Sequence, residues 1–145
     1  MLRGISPFIS PDLMKVMMEM GQGDEIVFAD ANFPAASHAD RLIRADGLGI
    51  PDLRKGVLPL FPLDQYVNSP VALMDVVPGD TAETPIWQEY RRILSGCEYA
   101  DVEMEFLERF DFYERAKRAY AIVATGENAR YANIILKKGV MADAN

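Results

Sequence analysis

The chain carries one histidine, one cysteine, one tryptophan and no long apolar run, and each shortage removes a class of function. With His38 alone, no histidine-rich metal centre can form and a Ser-His-Asp triad is hard to assemble. The lone Cys97 cannot close an internal disulfide, so nothing calls for an oxidising compartment. No apolar stretch approaches the ~20 residues needed to span a bilayer. In MLRGISPFISPDL, prolines and an aspartate interrupt the apolar core that a signal peptide needs. The expected location is cytoplasmic. Positive charge is also scarce, with 15 Lys and Arg against 22 Asp and Glu, for a net charge of −7. Such a surface argues against nucleic acid and anionic membranes as partners, and suits a neutral or cationic ligand.

What is present is ordinary for a folded domain: half of the 145 residues are hydrophobic and 26% are charged. That length fits one domain, 1–145, with room for a substantial core. Ser10 has the chemistry of an N-cap, Pro11 suits the first helical position, and Leu13, Met14, Met17 and Met20 recur at helical spacing up to Gly21. Residues 25–29 read as a buried strand, and a helix opening at Pro51 carries Leu53, Val57 and Leu58 before Pro59. A second strand spans 70–77, closed by a Pro78-Gly79-Asp80 turn, and Thr84-Pro85 opens a helix through Trp87, Tyr90 and Leu94. Residues 102–107 alternate as a half-exposed strand, 111–118 form a charged helix, and 119–124 and 132–136 are further strands. This alternation predicts an α/β fold, a single layered domain with helices packed on a central sheet.

Ligands of α/β sheets meet the loops at the carboxyl ends of strands. Asp30 ends the apolar run Ile26-Val-Phe-Ala29, so it is either a site carboxylate or the cap of the turn Asn32-Phe33-Pro34. Gln22, between Gly21 and Gly23, reads as a solvated loop amide; no lysine or helix start follows to make a phosphate loop. Arg109, ahead of the charged helix, has the donors to reach a neighbouring site. Tyr131 and Asn133 alternate in strand register, so a ring and an amide would point together into a cleft suited to a sugar.

These stretches resemble the family of D-ribose pyranase and L-fucose mutarotase, the RbsD/FucU family, and most closely its fucose branch. The likeness runs from Met1-Leu-Arg-Gly-Ile-Ser-Pro7 through Ile26–Pro34, Arg44-Ala-Asp-Gly47 and Leu60-Phe-Pro-Leu-Asp64. It continues through Arg109-Phe110, Phe112-Tyr-Glu-Arg115, Tyr131-Ala-Asn133 and Leu136-Lys-Lys-Gly139, essentially the whole chain. The resemblance implies an α/β domain with a mixed sheet that interconverts the anomers or ring forms of a free aldose without a cofactor or metal. It implies that Asp30, Arg109, Tyr131, the Ala132 backbone and Asn133 line the sugar site, with Tyr113 and Tyr120 as further contacts. It also implies a homo-oligomer, a decameric ring with sites at subunit interfaces. Phe8, Phe33 and Phe112 lie in turns or beside charged runs, where a monomer would leave apolar rings wet.

One departure bears on catalysis. Where the family has Gly-His-Gly-Asp, this chain has Gly21-Gln22-Gly23-Asp24. The seat of the acid/base is thus held by an amide, which binds a hydroxyl but exchanges no proton at neutral pH. Two readings follow: a fucose-mutarotase-like isomerase impaired at Gln22 and relying on Asp30, or a non-catalytic monosaccharide-binding protein on the same scaffold. His38 is a remote substitute for the missing group and fits better as part of its own turn.

Overall fold

The computed structural model describes residues 1–96, 99 and 101–141; Cys97 lies outside them. One six-stranded sheet organises the chain. Its strands are β1 (Glu25–Ala29), β2 (Leu42–Ala45), β3 (Val71–Met74), β4 (Met104–Leu107), β5 (Ala121–Thr125) and β6 (Ile134–Lys137), in the order β2-β5-β1-β6-β3-β4. The helices are α1 (Pro11–Glu19), α2 (Ala35–His38), α3 (Ile50–Val57), α4 (Pro85–Ser95) and α5 (Arg109–Arg118). β6 runs antiparallel to both β1 and β3, whereas the β1–β5, β2–β5 and β3–β4 pairs are parallel. The sheet is therefore mixed.

Because alternate strand residues face opposite sides, β1 serves two cores. Ile26 and Phe28 pack with Leu13, Met17, Leu53, Val57, Tyr90 and Leu94, from α1, α3 and α4. Val27 and Ala29 pack with Phe33, Ala35, Phe112 and Ala116, from α2, α5 and the loop after β1. Ile26, Val27, Phe28 and Ala29 are all fully buried. That double burial explains why the strand reads as an unbroken apolar run.

Ser10 Oγ accepts from Leu13 N–H at 3.1 Å and Pro11 occupies the first turn of α1. The helix stops at Glu19, not at Gly21, because Met20 turns extended and stays buried. α3 begins one residue before Pro51. α5 starts at Arg109, not Asp111, because Glu108 accepts from both Phe110 and Asp111 N–H. The strand expected over 70–77 is confined to β3, and that over 102–107 to β4. The two short elements α2 and β2 went unread, having too few residues to show a period.

The expected wet aromatic rings need correction. Phe33 and Phe112 are buried between the sheet and α5, and of the three only Phe8 is exposed. Phe110, on the outer side of α5, is 63% exposed instead.

Candidate functional site

β1, β3, β4 and β5 deliver their carboxyl ends to one edge of the sheet, and antiparallel β6 begins there. Asp30 follows β1 at this edge. Its backbone N–H donates to Asn133 Oδ1 at 2.7 Å, across 103 residues of sequence. Its Oδ1 accepts from Asn32 N–H at 3.0 Å, and its carbonyl accepts from Phe33 N–H at 3.2 Å. Asp30 is thus a turn cap and a buried carboxylate at once. Burial raises its pKa above the ordinary carboxylate value, against the lowering effect of the Asn32, Phe33 and Asn133 hydrogen bonds; the nearby Glu127 adds to the rise. A group so placed holds a proton more readily than a surface aspartate.

The neighbouring strand braces this loop. Thr125, 3% exposed at the end of β5, donates through Oγ1 to the Ala29 carbonyl at 2.7 Å and accepts from Glu127 N–H at 3.1 Å. The Glu127 carbonyl in turn accepts from Ala31 N–H at 2.8 Å. Its carboxylate accepts from Ile50 N–H at 3.0 Å, at the start of α3, and from Ala129 N–H at 3.1 Å. Gly126 between them is obligatory, since a Cβ there would lie 2.0 Å from the Asp46 carbonyl oxygen. Beside Asp30 opens a cavity of about 510 Å³, lined also by Phe33, Ser37, Arg44, Asp46 and Thr125. The bracing roles of Thr125 and Glu127 were missed. For Thr125 the signal was the one that marked Asp30, a polar residue closing an apolar strand.

Tyr131 and Asn133 do not alternate along a strand as their spacing predicts. Tyr131 has φ +56° and β6 starts only at Ile134, so the two residues belong to an irregular entry to the strand. Asn133 still meets Asp30, whereas the Tyr131 phenol turns to Asp80 and Val77. The Ala132 carbonyl accepts from the buried Tyr90 hydroxyl at 2.5 Å.

Arg109 and Tyr113 lie one turn apart on α5, with Arg109 Nε donating to the Tyr113 hydroxyl at 3.4 Å. The Tyr113 ring packs edge-on against Phe33, 5.4 Å between centroids, which joins this pair to the Asp30 loop. His38 sits at the end of α2 in the same aromatic group, 5.5 Å from the Tyr113 ring, with Ser37 Oγ 3.0 Å from Nδ1.

Gln22 and Tyr120 stand apart from all of these. Tyr120 N–H donates to the Glu25 carbonyl at the start of β1, and the guanidinium of Arg41 lies 3.9 Å from the centre of its ring. Gln22 is exposed at the tip of a turn pinned by Gly23 N–H to the Lys138 carbonyl and by Lys138 N–H to the Asp24 carbonyl. Gly23 takes φ +88° there. The full length of β1, about 16 Å at ~3.3 Å per residue, separates this edge from Asp30. Asp30, Arg109, Tyr113, Tyr131 and Asn133 lie toward the carboxyl edge of the sheet, and Gln22 and Tyr120 toward the opposite edge.

No group of three or more metal-ligating side chains occurs among the described residues, and no helix in them is long and apolar enough to cross a membrane. The chain is 51% identical over 140 residues to the L-fucose mutarotase of Actinobacillus pleuropneumoniae, covering 97% of each. It is 53% identical over 149 residues to the fucose mutarotase of Homo sapiens, covering 97% of this chain and 95% of that one. The crystal structure of the fucose mutarotase from Streptococcus pneumoniae in complex with L-fucose matches with a TM-score of 0.91 and 55% identity, over 97% of this chain and 100% of that one. Residues 3–141 match the RbsD / FucU transport protein family, and with this sheet, this order of motifs and these relatives, the chain belongs to that family.

Proposed function

We propose that the whole chain, as one domain, is an L-fucose-mutarotase-like isomerase that interconverts the α and β anomers of a free aldose. Opening a pyranose requires a proton to leave the anomeric hydroxyl and another to reach the ring oxygen; closing reverses both. The observation that carries the reading is Asp30, a buried carboxylate of raised pKa fixed by Asn133 at the carboxyl edge of the sheet. Asp30 takes and returns the proton. Asn133, Arg109 and the Tyr131-Ala132 segment hold hydroxyls and the sugar face, with Tyr113 beside them. Proton transfer of this kind needs no cofactor.

Gln22 and Tyr120 complete the site from a neighbouring copy. One chain cannot bring Gln22 to Asp30 across the length of β1, but a ring that sets the starting edge of one sheet against the carboxyl edge of the next does so at every interface. A decameric ring in the cytoplasm fits this arrangement. Light scattering on the purified chain tests it; a monomer at micromolar concentration would remove the composite site.

A second reading is a sugar-binding protein without catalysis, and Gln22 favours it, because an amide at that seat moves no proton at neutral pH. Saturation transfer between the anomer resonances of L-fucose, with and without protein, separates the two. Exchange above the uncatalysed rate supports the isomerase. Ligand broadening without exchange supports the binding protein, and neither would refute both.

A further inference from the structure

Tyr131 is the only non-glycine residue with positive φ among the described residues. Left-handed backbone is costly for a bulky aromatic residue, and such an outlier persists where its surroundings over-determine it. Here they do. The phenol donates to Asp80 Oδ2 and accepts from Val77 N–H at 3.3 Å, while the Tyr131 carbonyl accepts from Trp87 Nε1 at 2.8 Å. The following carbonyl, of Ala132, accepts from Tyr90. Arg130, just before, reaches Asp80 at 3.2 Å.

All of these anchors come from the connection between β3 and α4, or from α4 itself. Asp80 is fixed in its own right: Oδ1 accepts from Ala82 N–H at 2.9 Å, and its backbone N–H donates to the Val77 carbonyl at 2.9 Å. The hydrogen bond to Tyr131 holds the Asp80 carboxyl below the ordinary range and lifts the phenol above its own. A phenol has one proton to donate. With that proton engaged in the hydrogen bond to Asp80, Tyr131 has an aromatic face to offer and no free hydroxyl donor.

We propose that Asp80 is a positioning residue of the sugar site, acting through Tyr131: it engages the phenol proton and fixes the ring, so that Tyr131 presents its face to the apolar side of the sugar. This rests on the mutarotase reading. It also explains why a strained tyrosine stands two residues before Asn133. The clasp that holds Tyr131 sets the path by which Asn133 reaches Asp30.

The test is a double-mutant cycle on L-fucose affinity, with near-UV circular dichroism confirming that each variant is folded. Asp80→Ala and Tyr131→Phe should each weaken binding about five- to tenfold, the worth of one tethering hydrogen bond. Together they should weaken it no further, since both cut the same link. Asp80→Asn, whose amide oxygen still accepts the phenol proton, should recover most of the affinity. In chain labelled at tyrosine Cζ with carbon-13, the Tyr131 signal should titrate at lower pH in Asp80→Asn than in wild type. Additive losses, or an Asp80→Ala chain that binds like wild type, overturn the inference and leave the mutarotase reading standing. A wild-type chain that neither binds nor exchanges any aldose overturns both.

Discussion

Thr125→Val offers a nearly isosteric cut at the brace under Asp30. The substitution keeps shape and volume but removes the hydroxyl that joins β5 to β1. It leaves the Ala29 carbonyl and the Glu127 N–H without that partner, at a position only 3% exposed. A buried polar group left unsatisfied costs about 1–3 kcal/mol; with two such groups and some relaxation, the loss should be roughly 2–4 kcal/mol. In a chain of this size that lowers Tm by about 5–15 °C. Thr125→Ser keeps the hydroxyl and loses one methyl, about 1 kcal/mol. Thermal melts should therefore order wild type above Ser above Val. Because Glu127 also receives Ala31 N–H, the Val variant should bind L-fucose more weakly than the Ser variant, by titration. A Val variant as stable as the Ser variant would show that the methyl, not the hydroxyl, matters at 125, and would refute the bracing argument.

Asp30→Asn should raise stability at neutral pH while abolishing sugar binding. Burial lifts the folded pKa of Asp30 above its unfolded value of 3.8. The charged form is therefore disfavoured in the fold, and the cost is absent below that value and accumulates as pH rises through the folded pKa. The Tm advantage of the Asn variant should be present at pH 7 and shrink to nothing near pH 3; a constant advantage would deny the pKa shift. Gly126→Ala, forcing a Cβ to within 2.0 Å of the Asp46 oxygen, should cost about 3 kcal/mol in urea unfolding. A neutral effect would mean that the β2 end moves aside freely.

The sequence made the sheet legible wherever burial was one-sided or complete. β1 and β5 announced themselves as apolar runs because both faces are covered, and α1 did so through Ser10, Pro11 and its helical spacing. β2 stayed hidden because its four residues at the sheet edge alternate only between exposed Leu42 and buried Ile43. Asp30 was legible as a polar stop on an apolar strand. Tyr131 was misread: period-two spacing assumes extended backbone, and the left-handed turn that breaks it is imposed by Asp80, Val77 and Trp87, more than 40 residues away. The separation of Gln22 from Asp30 was legible too, since the strand read over 25–29 lies between them.

That separation makes Gln22→His more than a restoration of chemistry. The side chain sits exposed between two glycines that carry no side chains of their own, so an imidazole has room there. In the intact assembly it should raise anomer exchange by up to roughly 10²- to 10⁴-fold, the contribution of a positioned acid/base. The gain should titrate near the imidazole pKa of about 6.5. Combining Gln22→His with Asp30→Asn in one chain should abolish exchange, since every interface then lacks the carboxylate. If the imidazole and Asp30 meet only across an interface, co-assembling that double variant with wild-type chain recreates complete sites wherever the two kinds of subunit adjoin in the right order. Exchange should then recover above the level of either homogeneous assembly. If both groups served one sugar within a single chain, no mixture would do so, because no chain carries both. Mixing without recovery, with co-assembly verified by mass, would refute a site shared across the interface.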